Sequence, residues 1–308
     1  MLANIFLVAT EVIILFILIA VGGAATKLKW LTKDSATQMT NIVLYFATPC
    51  IVVESFNAVR LTPDLVLGLG KTAVIAIVVH TLGIFIATFL FRRKPQKQRS
   101  IFNVSAVFPN CGFMGIPLVT AILGSQYVIY ASVYISIFYV FQWTYGVLQY
   151  NPDQKPSLRL MLINTGTISL AAGLLVALLP WPLPQIIIEP VTMVAALNSP
   201  IAMMILGYYL FTTALRPQKG ESGLWVAAAV KLLLIPVIML VISFTLRLSG
   251  MWLVTSLVVA STPSAVNVLL FAARFDGDTA LAARTVSICT LLSLITLPIM
   301  LAAAMFFV

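Results

Sequence analysis

The chain has 308 residues, of which 61% are hydrophobic and only 9% charged, against about 25% charged in soluble domains. That composition excludes a soluble domain and describes an all-α polytopic membrane protein with room for about ten spans of about 20 residues each. The net charge of +9 is not a nucleic-acid signal, because the basic residues fall in short loops between apolar runs.

In chain order the apolar runs predict spans over residues 5–26, 36–57, 65–91, 100–119, 126–149, 160–180, 187–213, 223–247, 252–273 and 278–305. Span one lacks a basic leader and reads as a retained helix. Span two carries Thr48-Pro49 and then Glu54. A carboxylate at membrane depth is a functional candidate by default, while Asn57 and Arg60 nearby equally allow a hydrated position at the outer surface. His80, the single histidine, lies mid-way along span three and reads either as a proton relay or as a neutral packing residue.

Span four is interrupted by Pro109-Asn110-Cys111-Gly112 and again by Gly115 and Pro117. Proline removes a backbone donor and clashes with the preceding turn, so this segment cannot be one continuous helix. Span five is rich in tyrosine, and Tyr134, Phe138, Phe141 and Tyr145 share one helical face. That face is either a pocket wall, with Tyr134 as its candidate, or a packing stripe. Span seven carries Ser199-Pro200, and span eight carries Lys231 well inside its apolar run, where it can neutralise a carboxylate, attract an anion or snorkel to the surface. Span nine breaks at Ser261-Thr262-Pro263-Ser264, with Asn267 just beyond.

Charge sets the orientation. Loops after odd-numbered spans hold 14 of the 18 Lys and Arg residues, and loops after even-numbered spans hold only Arg60 and Arg247. This places the odd loops in the cytoplasm and both termini outside. The halves also correspond: Pro109 and Pro263 are 154 residues apart, and Thr48-Pro49 and Ser199-Pro200 are 151 apart. Residues 1–150 and 151–308 then form two five-span repeats, and an odd span number gives them opposite orientations.

Non-helical backbone survives in hydrocarbon only inside protein or against a water-filled cavity. Two matched broken spans therefore point to a midplane binding site of the secondary-transporter kind. Free N–H groups at a half-helix start favour anions, and carbonyl ends favour cations. Asn110, Cys111, Gly112, Ser264 and Asn267 are the candidate ligand-contacting residues, and Glu54, Lys231 and His80 are the candidates for coupling to H⁺ or Na⁺. Cys50, Cys111 and Cys289 have no metal-ligand spacing. The chain contains no phosphate-binding Gly-rich loop, no catalytic constellation and no call for an organic cofactor.

Asn110-Cys111-Gly112-Phe113-Met114-Gly115-Ile116-Pro117-Leu118 resembles the span-four signature of the auxin efflux carrier family, which includes bacterial malate and malonate permeases. Thr262-Pro263-Ser264-Ala265-Val266-Asn267 is similar to its span-nine motif, and Ala47-Thr48-Pro49 and Lys231 to Pro236 fit as well. The resemblance spans essentially the whole chain. It implies a sodium/proton-antiporter-like fold with a scaffold part and an elevator-like moving part, commonly a homodimer in a bacterial inner membrane. It also implies small carboxylates as substrates, with Asn110 and Asn267 contacting the substrate carboxylate. A channel with a continuous polar pore and a non-transporting membrane sensor are the rival classes.

Overall fold

The computed structural model describes residues 2–153, 159, 163–213, 215–216, 218 and 220–307, without the side chains of residues 2–9, 11, 12 and 273. The beginning of predicted span six, and Lys155 and Lys219 of the charge count, lie outside the described residues. Among the described residues the fold is all-helical, with no β-strand beyond one isolated bridge.

Twelve helical segments follow one another: α1 (Leu2–Lys27), α2 (Lys33–Asn57), α3 (Pro63–Phe91), α4 (Gln96–Val107), α5 (Cys111–Ile122), α6 (Ser125–Tyr150), α7 (Thr165–Ala177), α8 (Gln185–Thr212), α9 (Gly223–Thr245), α10 (Met251–Ala260), α11 (Asn267–Arg274) and α12 (Thr279–Phe307). Six of them (α2, α3, α6, α8, α9 and α12) are long and apolar enough to cross a membrane, and Ile13–Lys27 of α1, α5, α7 and α10 are shorter apolar helices. The predicted boundaries agree to within a few residues, because caps mark them. Thr62 caps α3 through the Leu65 N–H, and Asp278 caps α12 through the Leu281 N–H.

The helices pack in two groups. α1 lies along the C-terminal part of α8, and α2 lies against α7 and the start of α8. In the second group α3, α4, α6, α9, α10 and α12 pack on one another around α5 and α11. The α1–α8 contact is a backbone-to-backbone approach. A Cβ built on Gly22 would sit 2.2 Å from the Met204 carbonyl oxygen, and one on Gly207 would sit 2.1 Å from that of Ile19. Small residues permit such approaches between membrane helices, where dispersion rather than water exclusion drives association.

Polar ties cross the fold, two of them at helix ends. Asn198 of α8 donates to the Thr48 hydroxyl of α2 at 3.0 Å, both buried, which joins the two matched Thr/Ser-Pro landmarks. Arg284 of α12 forms a buried two-bond ion pair with Glu221, whose second oxygen also accepts from the Gln218 N–H. This pair clamps the turn before α9 onto the first turns of α12.

Gly207→Ala is expected to lower Tm by roughly 3–10 °C, since overpacking costs about 1–3 kcal/mol. Gly70 faces open space, so Gly70→Ala leaves Tm unchanged or raised. Thermal unfolding of the detergent-purified protein checks both, and a neutral Gly207→Ala would contradict the backbone approach.

Candidate functional site

The site begins at the two interruptions. Pro109 disfavours helical backbone at the residue before it, and Phe108 is extended (φ −93°, ψ 114°). Pro263 acts likewise on the chain after α10. The two extended stretches run antiparallel and pair: the Asn110 N–H donates to the Pro263 carbonyl at 2.7 Å, and the Ala265 N–H donates to the Phe108 carbonyl at 3.0 Å. Ser264 reinforces the joint, its hydroxyl donating to the Ser105 carbonyl at 2.8 Å and its N–H facing the Cys289 sulfur at 3.4 Å.

This corrects one expectation. The main-chain N–H groups of Asn110 and Ser264 are not free for a ligand, because the crossover itself uses them, and Ser264 is buried within the joint. The donors left over are those of the first turn of α5. The Asn110 carbonyl accepts from Met114 and Gly115, while the N–H groups of Cys111, Gly112 and Phe113 have no backbone acceptor, those of Cys111 and Gly112 lying against the Cys111 sulfur. Beside them the Asn110 amide nitrogen, on a residue only 2% exposed, has no hydrogen-bond partner.

Residues 109–113 line a cavity of about 20 Å³ between α5 and α11, together with Leu44, Phe138, Tyr139 and Asn267. It has room for about one water-sized group. Leu44, Tyr139 and Asn267 also line a larger pocket of about 510 Å³, so they form a wall common to the two cavities. The larger pocket also carries Tyr45, Gln142, Trp143, Asn164, Phe271 and Arg274. Asn267 is held in this wall by donating from its amide to the Gln142 side-chain oxygen at 3.0 Å.

Four wide turns, closed by i→i−5 bonds, interrupt the helices around this space: Val43–Ala47, Cys111–Gly115, Gln142–Gly146 and Val230–Leu234. Three have a direct cause in the sequence. Pro49, Pro117 and Pro236 each lie two residues beyond a wide turn, and a proline ring repels the carbonyl four residues back. Widening the turn by one residue accommodates that carbonyl. Three of the turns carry residues that line these cavities, Leu44 and Tyr45, Cys111 and Gly112, and Gln142 and Trp143, and the fourth carries Lys231. Single wide turns of this kind are frequent at functional sites.

Lys231 is fully buried and its ammonium donates to the Ala260 carbonyl, the last of α10, at 2.9 Å. It neither snorkels nor pairs with Glu54. It places a positive charge at the carbonyl end of a half-helix, where the peptide dipoles favour one. His80 is also fully buried, with Nδ1 against the Ala76 carbonyl at 2.8 Å and an aromatic shell of Phe108, Tyr134, Phe138 and Phe141 around its ring. Tyr134 belongs to that shell and is wholly buried, outside the residues lining the pocket. Glu54 is half-buried on α2, away from the pocket lining. Of the predicted site residues, the fold thus brings Asn110, Cys111, Gly112 and Asn267 to one cavity, puts Ser264 and Lys231 in the structure behind it, and leaves Glu54, His80 and Tyr134 off it.

Sequence reasoning passed over Gln142, Trp143, Tyr139 and Arg274 as ligand-contacting residues. Arg274 had been counted as an orienting loop charge. The available signal was position: Arg274 is seven residues past Asn267, two turns along the same helix face.

A family model described as "Membrane transport protein" matches residues 7–301. A protein of Methanothermobacter thermautotrophicus named "Uncharacterized transporter" is 26% identical over 96% of this chain and 98% of its own length. A Rhizobium meliloti protein named "Putative malonate transporter" is 26% identical over 91% of each chain. A second "Uncharacterized transporter", from Methanocaldococcus jannaschii, is 23% identical over 93% of this chain and 95% of its own.

Ser264→Ala is expected to lower Tm by several degrees, since it strips a buried carbonyl of its donor at a cost of about 1–3 kcal/mol. A shift below one degree would contradict the bond from Ser264 to the Ser105 carbonyl.

Proposed function

The chain belongs to the membrane transport protein family, the auxin efflux carriers, and from that premise we propose that this transporter is a secondary active carrier of small organic anions that works by alternating access at the crossover. The substrates are carboxylates such as malate, malonate or auxin-like acids. One observation carries the reading: the Asn110 amide is buried and unpartnered beside the start of α5, on a residue that lines the small cavity. A buried donor without a partner costs about 1–3 kcal/mol. A carboxylate oxygen in the small cavity relieves that cost and meets the positive end of the helix dipole. A relative bearing a malonate name agrees with this class.

The architecture we propose for this activity has ten spans in two inverted repeats, residues 1–150 and 151–308, within an integral membrane protein. Each of the six long and four shorter apolar helices overlaps one of the ten predicted spans, which supports this reading. Spans one, two, six and seven form one packed group and the other six form the second, so each group takes equivalent spans from both halves. This division supports a scaffold and an elevator-like moving part. With both termini outside a bacterial inner membrane, the pocket edged by Asn164 and Arg274 opens to the cytoplasm. Assembly as a homodimer is carried over from the resemblance.

Coupling is assigned to a proton exchanged at Lys231, whose ammonium occupies the carbonyl end of α10, the position a coupling cation such as Na⁺ would otherwise take. Glu54 and His80 are subordinate in this scheme: one is half-buried off the pocket and the other is enclosed by aromatic rings.

Counterflow of labelled malonate in proteoliposomes tests the reading. Asn110→Ala is expected to raise the substrate KM at least tenfold with Tm within about two degrees of the wild type. A Cβ on Gly112 meets nothing within 4 Å, so Gly112→Ala should keep the fold while its methyl enters the cavity and reduces uptake by a similar factor. Unchanged uptake of every acid in both variants, or flux without saturation as in a channel, would reject the proposal. Uptake driven by a pH gradient should disappear in Lys231→Gln, whereas persistence of the drive, or dependence on Na⁺ instead, would reject the role of Lys231.

A further inference from the structure

The two cavities share a wall, and a single carboxylate uses only the small one. Arg274 closes α11 and lines the larger pocket. Its guanidinium lies 5.9 Å from the Trp143 ring centroid and 5.7 Å from that of Phe275. Among the described residues the one ion pair is Arg284–Glu221, so Arg274 has no carboxylate partner there. An arginine held beside aromatic rings at a pocket wall, with its fork unused, is suited to bind a planar anion bidentately.

Its distance from the crossover follows from helix geometry. Asn267 and Arg274 are seven residues apart on α11, a rise of about 10 Å. The two residues share one face of the helix. The lining also includes the apolar side chains of Leu44, Leu270 and Phe271, which would hold a short carbon spine.

We propose that Arg274 is a specificity-determining residue that binds the second acidic group of a dicarboxylate whose first carboxylate sits at Asn110 and the start of α5. This rests on the crossover site proposed above and narrows it to two-point binding of a short-chain dianion. A monocarboxylate fills only the small cavity. Arg274 is exposed, so replacing it removes an interaction with ligand rather than part of the core.

Titration calorimetry on the detergent-purified full chain separates the possibilities, with malonate, succinate and glutarate as dianions and propanoate and butanoate as monoanions. The wild type should bind its best dianion at least tenfold more tightly than either monoacid. Arg274→Gln should weaken that dianion at least tenfold and the monoacids less than threefold, with Tm unchanged. Arg274→Lys keeps the charge but not the fork, and should recover only part of the loss. Equal weakening of both classes, or full recovery with Lys, means a general field effect and overturns the proposal while leaving the crossover site standing. A wild type without dianion preference also overturns it. If no carboxylate binds the wild type, or if Asn110→Ala leaves monoacid binding intact, the crossover reading itself fails and this inference falls with it.

Discussion

Everything in this molecule turns on how two broken helices satisfy their backbone in the absence of water. A chain interrupted at membrane depth leaves N–H and C=O groups that cost several kcal/mol each if unpaired. Here the interruptions satisfy one another. The strand-like pairing of Phe108–Asn110 with Pro263–Ala265 uses the polar groups that the prolines displace, Ser264 ties the joint to α4, and Lys231 covers the carbonyl end of α10. What is left after this mutual pairing is small and specific: one asparagine amide and the first N–H groups of α5. The site is the remainder of the pairing.

The same economy extends outward through the wide turns. Each adds one residue to a helical turn and redirects side chains without requiring a loop, which the membrane would not tolerate. Proline at a fixed offset produces three of them, so residues that look like packing defects in α2, α5 and α9 are what aim Tyr45, Gly112 and Lys231 at one region. The dense α1–α8 contact through Gly22 and Gly207 serves a different purpose. It holds α1 and α8 together at a close backbone approach.

Much of this was legible in the sequence, and the limits have physical causes. Pro109 and Pro263 announced the breaks because each sits among asparagine, glycine or hydroxyl residues that further disfavour helix. Span ends were readable from apolar run length and caps. Asn110 and Asn267 stood out because amides beside a break need partners. Tyr134 misled, since helical periodicity says which residues share a face but not whether that face meets a cavity or another helix; here it meets His80 and its aromatic shell. That the crossover uses the N–H groups of Asn110 and Ser264 was not legible, because the pairing of the two segments is a long-range contact that neither segment encodes alone. Arg274 was hidden by its own plausibility as an orienting charge at a helix end, a role compatible with lining a pocket.

The central claim is that a carboxylate binds at the start of α5 beside the Asn110 amide. The most direct measurement is an experimental structure of the protein in lipid nanodiscs or crystals with bromomalonate, whose bromine marks the ligand independently of its oxygens. The account predicts ligand density at the small cavity, with one carboxylate oxygen within hydrogen-bond distance of the Asn110 amide nitrogen and of a Cys111–Phe113 N–H. Density confined to another part of the protein, with the Asn110 amide still unpartnered or bonded to protein, would contradict it.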